Sequence, residues 1–586
     1  MPLSATVLAT VYLRVLRTMT SWQGLLDQYE LAGNRVALAI ALRLAGYVHR
    51  RVQNVLTTAS LDQHWESLNK EFGGMNDVLW KLYALGRKLE AARDGAARDG
   101  AARDGAAPTG AAVDVTAAVT AARDGAALTG AAVDVTAAVT DAAVTAAVTD
   151  AAVTATDAAA AAAEEAAAWA EARDTWQEAH LRSTASLFDR PCLLGPLGAH
   201  VDCLSHAHAN TQLPVLTGAH TRFEATGDGR FRRLAAFFVE LLLRTRTLAS
   251  GGSSIGEYWG AANVLGEQVA PGASTTQESC STHNMMRLSR GLLLTATEEH
   301  EAASHAAYHE RSLFNSVLGT QRGERPGEML YWLPLGAGVS KMDLVHPTHD
   351  DGQQHGWSHP HGDFWCCVGS GLEAFARLGD STFFRLARSR SQGGGRASDA
   401  DGSADAPPTL YVMQLVASRV HWREAHANVT LLVDEPGSLS AFEPLRLTLT
   451  VTPLAPSSMV HVALRVRLPA WAWGRGGTEP PSVRLGAHPV PSLAVRGSFL
   501  HLERTWRINE QLTMALPMAL RSEALNDTRP RYRMLHALFA GPILLAGLTF
   551  GPRALLADPS DLESWLRPVP KHAAAQLRSL QVRDEH

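Results

Sequence analysis

Two cysteines stand side by side in DFWCC, residues 363–367, in a chain that holds only five cysteines among 586 residues. A disulfide between neighbours needs a strained ring, and an ordinary core rarely places two thiols in one step. Cys366 and Cys367 therefore point to a metal or to reactive sulfur. A third thiol, Cys280, closes the triplet ESC at 278–280, with Glu278 two positions ahead. Side chains two apart share a side in an extended segment and diverge on a helix, so this spacing predicts an extended lead-in. Ser281 or Thr282 then serves as the N-cap of a helix that begins near Asn284. Cys366 and Cys367 are followed by VGSG and LEAFARLGD, which predicts a glycine-rich turn into a helix. Thiolates just ahead of a helix N-terminus have a lowered pKa, which favours metal binding and nucleophilicity alike.

Together Glu278, Cys280, Cys366 and Cys367 offer one oxygen and three sulfur donors, a set that zinc takes tetrahedrally, while with no CxxC pair their spacing alone reads better as chance clustering in sequence. Two uses of such a centre differ in kind. Four protein ligands leave no open position for an activated water, so the ion could simply staple the fold. Alternatively, three thiolates and a carboxylate give the centre a formal charge of about −2, so one sulfur stays electron-rich and can itself attack a substrate carbon. A redox role finds no support, because nothing resembles a thioredoxin unit and no CxxC is present.

These residues must be positioned by a chain too long for one compact core, so two or more domains are expected. From Trp22 to about Lys88 the pattern is helical, as in QGLLDQYELAG and RVALAIALRLAGYVHRRVQNVL, with apolar residues at three- and four-residue spacings. Residues 91–168 change abruptly to AARDG copies and to TGAAVDVTAAVT, which occurs at 109 and at 129. This tract has too few large side chains to offset its ordering entropy and reads as a disordered or loosely helical insertion. Helical patterning resumes at about 169 and runs to about 390, including RRLAAFFVELLLRTRTLAS. After SQGGGRASDADGSADAPP the period becomes alternating in TLYVMQLV, VTLLVD, LRLTLTVTP, HVALRVRLP, PSVRLG and QLTMALP, which predicts a β-sandwich.

Several function classes recede. The net charge of −5 and the scattered arginines give no basic groove, so nucleic acid is not an expected partner. No apolar run approaches the roughly 20 residues of a membrane span. The first residues, MPLSATVLATVYLRVLRTMTSW, carry arginines inside their apolar stretch and no basic residue before it, a poor signal peptide. Sequons at Asn428 and Asn526 matter only if the chain is secreted, and the compartment stays open.

A run of segments resembles glycoside hydrolase family 127, the β-L-arabinofuranosidases. These are LNKEFGGMNDVLWKLY, LFDRPCLLG, HANTQLPVLTGAHTRFEATGD, GGSSIGEYW, ESCSTHNMMRLSR, YHERSLFNSVLGTQRGERPGEMLYWLPLGAGVSK and FWCCVGSGLEAFARLGDSTFF, in the family's order. LYVMQ, LRVRLPAWA, WRINEQLTMALPMALRSEA and AGPILLAG resemble its β portion, so the likeness extends from about Trp22 to Gly547.

The resemblance implies an (α/α)6 barrel followed by a β-sandwich. The barrel's first part would span 1–90, the insertion 91–168, its second part 169–390, a linker 391–408, the sandwich 409–550 and a C-terminal tail 551–586. By resemblance Cys366 is the nucleophile, and Glu278, Cys280 and Cys367 complete the zinc shell. Glu257 of GEYW is the acid/base, with Glu267 of GEQ as a rival, and His208 and Tyr331 contact the sugar. The implied reaction is retaining hydrolysis that releases L-arabinose from a glycan or glycoprotein. The competing expectation is a carbohydrate-binding or scaffold protein with a structural zinc. Family members also carry a GHYLSA-like segment and a histidine ahead of the GLLDQY helix. This chain begins too late for the first and has Met19 near the second, so the barrel is expected to be incomplete at its N-terminus.

Overall fold

The computed structural model describes residues 22–63, 73–88, 178–341, 357–359, 363, 365–386, 406–433, 443–454, 459–474, 479–490, 496–547, 557–568 and 580–582. The Ala-rich tract, Met19 and most of the expected linker lie outside these residues. The chain divides into two compact units, Met1–Phe188 and Asp189–His586.

In the first unit, α1 covers 22–32, α2 Arg35–Thr58, α3 75–88 and α4 Glu178–Ser186. Gly33 turns the chain at φ +68°, and the Asn34 side chain caps α2 by accepting from Ala37 N–H at 3.2 Å. The buried stripe Leu38, Ala41, Leu42, Ala45, Val48 and Val52 follows the helical period. Val36, Ile40 and Tyr47 on α2 are exposed, as is Leu31 on α1.

The second unit begins with helices: α5 Pro191–Gly198, α6 Ala209–Thr226, α7 Gly229–Thr245, α8 Ser279–Leu294, α9 Glu299–Asn315 and α10 Cys366–Ala376. Gly227 ends α6 in the left-handed region, its N–H bonded to Phe223 O at 2.7 Å, and Asp228 at once caps α7. Leu234, Ala235, Phe238, Val239 and Leu242 give α7 one apolar face, buried in a cluster with α5, α6 and α8.

Two helix starts differ from expectation. The extended reading holds at Glu278, but α8 begins at Ser279, not near Asn284, so Cys280 sits in its first turn. The side chain of Ser281 donates to Glu278 Oε2 at 2.7 Å instead of capping a later helix. Likewise VGSG is helical: Cys366 and Cys367 are the first two residues of α10, and tertiary packing overrides the glycines' weak helical preference. Gly371 is one reason, since a Cβ there would collide with Met329.

A β region follows the helical region. β1 Phe383–Arg385, β2 Thr409–Val412, β6 Met459–Arg467 and β9 Phe499–Arg507 form one sheet in the order β1-β2-β6-β9. β3 Ser418–Trp422, β4 Ala427–Val433, β5 Leu445–Pro453, β10 Gln511–Leu516, β7 Ser482–Leu485 and β8 His488–Pro489 form a second, in that spatial order. Alternate residues of β5 are buried, and both sheets contribute to one apolar cluster that includes Val412, Leu464, Trp506, Leu447, Leu449 and Leu512. A third sheet joins β11 Leu520–Ala524, β12 His536–Ala540 and β13 Ile543–Leu544.

Helices and sheets are welded within this unit. Met413 and Phe499 share a buried cluster with Leu293, Ala302 and Ala306. Glu310 on α9 accepts from the buried Arg467 guanidinium and, at 2.7 Å, from Trp471 Nε1. Among the described residues no helix is long and apolar enough to cross a membrane.

Candidate active site

Isolated β-bridges, not a regular sheet, gather the site. His208 pairs with Tyr258, Ile255 with Tyr258 and Thr276, Glu278 with Trp332, and Leu330 with Trp357. Apart from the local Ile255–Tyr258 turn, each bridge joins two separate segments, so stretches distant in sequence run side by side. The turn that presents Glu257 is anchored on its far side. Trp259 is buried and its Nε1 donates to Ser253 Oγ at 3.1 Å, while the buried Arg246 donates to Gly260 O at 2.9 Å.

Glu257 receives two donors. Tyr331 Oη donates to Oε1, and His208 Nε2 lies 3.2 Å from Oε2, which requires the Nε2–H tautomer when the imidazole is neutral. The Cys366 sulfur sits 3.8 Å from Tyr331 Oη. Carboxylate, phenol and thiol thus form one line.

Glu278, Cys280, Cys366 and Cys367 converge at its end, their ligand atoms all within 4.8 Å of one another, a group that could hold a metal ion. Cys280 and Cys367 sulfurs are 3.0 Å apart, Cys366 and Cys367 sulfurs 3.9 Å, and Cys367 Sγ lies 3.9 Å from Glu278 Oε1. Cys366 and Cys367 differ in exposure because successive helical residues project about 100° apart. Cys367 is fully buried, and Cys366 is the exposed member. Leu330, Trp332 and Leu333 pack around the buried thiols.

This environment splits the group electrostatically. Burial, followed by the Cys366 charge, pushes the Glu278 carboxyl well up, and burial does the same to the Cys280 and Cys367 thiols. Hydrogen bonding with Cys280 and Cys367, and then with Tyr331, holds the Cys366 thiol well below the usual range. Burial keeps the Tyr331 phenol neutral.

All seven residues singled out by sequence, Glu257, Glu278, Cys280, Cys366 and Cys367 with His208 and Tyr331 beside them, therefore meet in one place. Glu267 does not join them: Arg529 holds its carboxyl down to about 2, and Arg531 adds a bond at 2.7 Å. Ser370, whose hydroxyl donates to Cys280 Sγ at 3.2 Å, was missed because VGSG reads as a turn, yet on a helix it lies one turn beyond Cys366. Ser254, which accepts from Glu278 N–H at 3.0 Å, had no signal beyond the GGSS string.

The chain matches the description "Beta-L-arabinofuranosidase, GH127 catalytic domain" over residues 17–94 and 117–380, and "Beta-L-arabinofuranosidase, GH127 middle domain" over 409–518. Among solved structures it is similar to Ara127N-Se, a GH127 β-L-arabinofuranosidase from Geobacillus stearothermophilus T6. Identity is 18% with a TM-score of 0.42, over 60% of this chain and 48% of that one. It is also similar to a GH127 β-arabinofuranosidase at 15% identity and TM-score 0.45, over 62% of this chain and 53% of that one. A protein described as a glycoside hydrolase matches at 15% identity and TM-score 0.46, over 64% of this chain and 58% of that one. The chain thus spans about half the length of these structures. No curated protein matches it. Because the catalytic-domain description covers more than half of its residues, the chain belongs to the GH127 β-L-arabinofuranosidase family.

Proposed function

We propose that the chain is a retaining glycoside hydrolase that releases L-arabinose from β-L-arabinofuranosides of glycans or glycoproteins. Cys366 is the nucleophile and Glu257 the acid/base. The observation that carries this reading is the line Glu257–Tyr331–Cys366, which ends in a thiol favoured as thiolate beside three further ligand atoms. The helical region is read as an (α/α)6 barrel and the two large sheets as a sandwich, with the domain limits expected from sequence.

The donor set suits Zn2+. Sulfurs on a tetrahedral zinc lie about 3.7 Å apart, from Zn–S bonds of about 2.3 Å. The 3.9 Å spacing of the Cys366 and Cys367 sulfurs fits this, and the Cys280 and Cys367 sulfurs, 3.0 Å apart, would have to separate by about 0.7 Å. Glu278, Cys280, Cys366 and Cys367 would hold the ion, which when bound keeps the sulfur of Cys366 deprotonated.

The chain's own residues then act in two steps. Cys366 sulfur attacks the anomeric carbon while the bond from that carbon to the leaving oxygen breaks, and Glu257 gives that oxygen its proton. In the second step the Glu257 carboxylate takes a proton from water, the water oxygen bonds to the anomeric carbon, and the carbon–sulfur bond breaks to return the thiolate. A single phenol oxygen, that of Tyr331, bridges the Cys366 sulfur and the Glu257 carboxylate, which supports their pairing as nucleophile and acid/base. His208 and Tyr331 hold Glu257 and face the sugar.

The test is release of the aglycone from an aryl β-L-arabinofuranoside under reducing, zinc-replete conditions, with Cys366→Ser in parallel. Turnover by the parent and none by a folded Cys366→Ser is expected. No turnover by a folded, zinc-loaded parent would favour a carbohydrate-binding scaffold with a structural metal instead.

A further inference from the structure

Gln277, immediately before Glu278, is fully buried and adopts φ +58°, a left-handed conformation that costs a non-glycine residue energy and persists only where surroundings enforce it. The enforcing contacts are specific. Its side-chain carbonyl accepts from Ser250 Oγ, and its amide donates to Ser316 Oγ at 2.5 Å. Its backbone N–H donates to Ser254 O at 2.8 Å, and its backbone O accepts from Leu333 N–H at 3.2 Å. Gly252 completes the receptacle, since a Cβ there would overlap the Gln277 side chain, while Gly252's own φ lies outside the left-handed region.

The consequence appears one residue later. Glu278 N–H turns onto Ser254 Oγ, its backbone pairs with Trp332, and its carboxyl enters the Cys280–Cys366–Cys367 group. We propose that Gln277 is a positioning residue: its buried amide, locked between Ser250 and Ser316 over Gly252, holds the strained backbone that aims Glu278 at the metal. This rests on the reading of Glu278 and the three cysteines as the metal-binding group.

Gly252→Ala pushes the Gln277 side chain from its seat without touching any proposed ligand. Gln277→Gly keeps the left-handed backbone open but removes the amide. Both are compared with the parent by zinc competition against a chromophoric chelator, by the Co(II) absorption spectrum, and by thermal unfolding of the metal-free protein. Outer-shell losses typically weaken metal binding by roughly 10–100-fold, and that range is expected for each single variant. An altered Co(II) spectrum should accompany it. In the double variant Gly252→Ala should add almost nothing to Gln277→Gly, because the side chain it displaces is already gone.

A role confined to packing would lower the unfolding temperature of the metal-free variants while leaving zinc affinity and the Co(II) spectrum at parent values, and that result overturns the proposal. A parent that binds no zinc would instead overturn the reading of the metal-binding group itself, and the inference with it.

Discussion

His208 Nε2 lies 3.2 Å from Glu257 Oε2 across 49 residues of sequence, held there because the backbone of Ala209 donates to Glu257 O at 2.7 Å and Trp259 N–H donates to Ala207 O at 3.0 Å. Two backbone hydrogen bonds therefore set the side-chain pair, and Tyr331 on a third segment completes the grip on the carboxyl. Removing either holder leaves Glu257 in place but poorly aimed. His208→Ala and Tyr331→Phe should each lower kcat/KM on an aryl β-L-arabinofuranoside by up to ~10²-fold, the scale of a small misplacement, without loss of fold. Parent-level kcat/KM in Tyr331→Phe would remove the phenol from the machinery.

Metal should stabilise the fold strongly. Glu278, Cys280 and Cys367 are buried, and burial raises all three toward their neutral forms, so an ion that binds them must displace protons. With zinc at a thousandfold excess over its Kd, stabilisation of about 4 kcal/mol is expected. Thermal unfolding with and without chelator reads this, and proton release appears as a buffer-dependent heat of zinc binding. Superimposable melts would refute it.

The ion pair between Arg467 on β6 and Glu310 on α9 is nearly solvent-free, with side-chain exposures of 1% and 4%. Arg467 also donates to Met413 O at 2.6 Å. Arg467→Met leaves a buried carboxylate short of its counter-charge and should cost about 3–5 kcal/mol, whereas Arg467→Met with Glu310→Leu should recover part of that loss. Urea midpoints of the single and double variants decide it, and a single variant as stable as the parent would show that water reaches the site.

Acid should destabilise the helical region through His305 and His309. Burial lowers both from 6.5 to about 4, partly offset for His305 by Glu301 and reinforced by Arg232 and His220. The unfolded chain takes up protons near 6.5 and the folded chain only near 4. Stability is therefore full above about pH 6.5 and falls as pH drops to about 4, by a few kcal/mol per histidine at most. His305→Asn retains a partner for Ser289 Oγ, now 3.0 Å from His305 Nδ1, and should flatten the unfolding temperature between pH 7 and 5.

Legibility varied with the range of the interaction. The strands read from alternation, TLYVMQLV, VTLLVD, LRLTLTVTP, HVALRVRLP, PSVRLG and QLTMALP, coincide with β2, β4, β5, β6, β7 and β10, because a half-buried strand writes its period into neighbouring residues. β9 was overlooked: its FLHLERTWR opens with two buried residues before alternating with charged ones. The helical start at Cys366 was invisible, because two glycines and a serine carry a turn signal that only packing against Met329 and Cys280 reverses.

By itself the sequence determined the donor types, the helical and β regions and the family, since these depend on residue chemistry, local period and ordered motifs. Only the tertiary structure decided that Glu257, not Glu267, stands beside the thiols, and that a strained Gln277 precedes Glu278. Both outcomes depend on partners far away in the chain, Tyr331 and Arg529 in one case and Gly252 with Ser316 in the other. Spacing along the chain does not encode such distances in space.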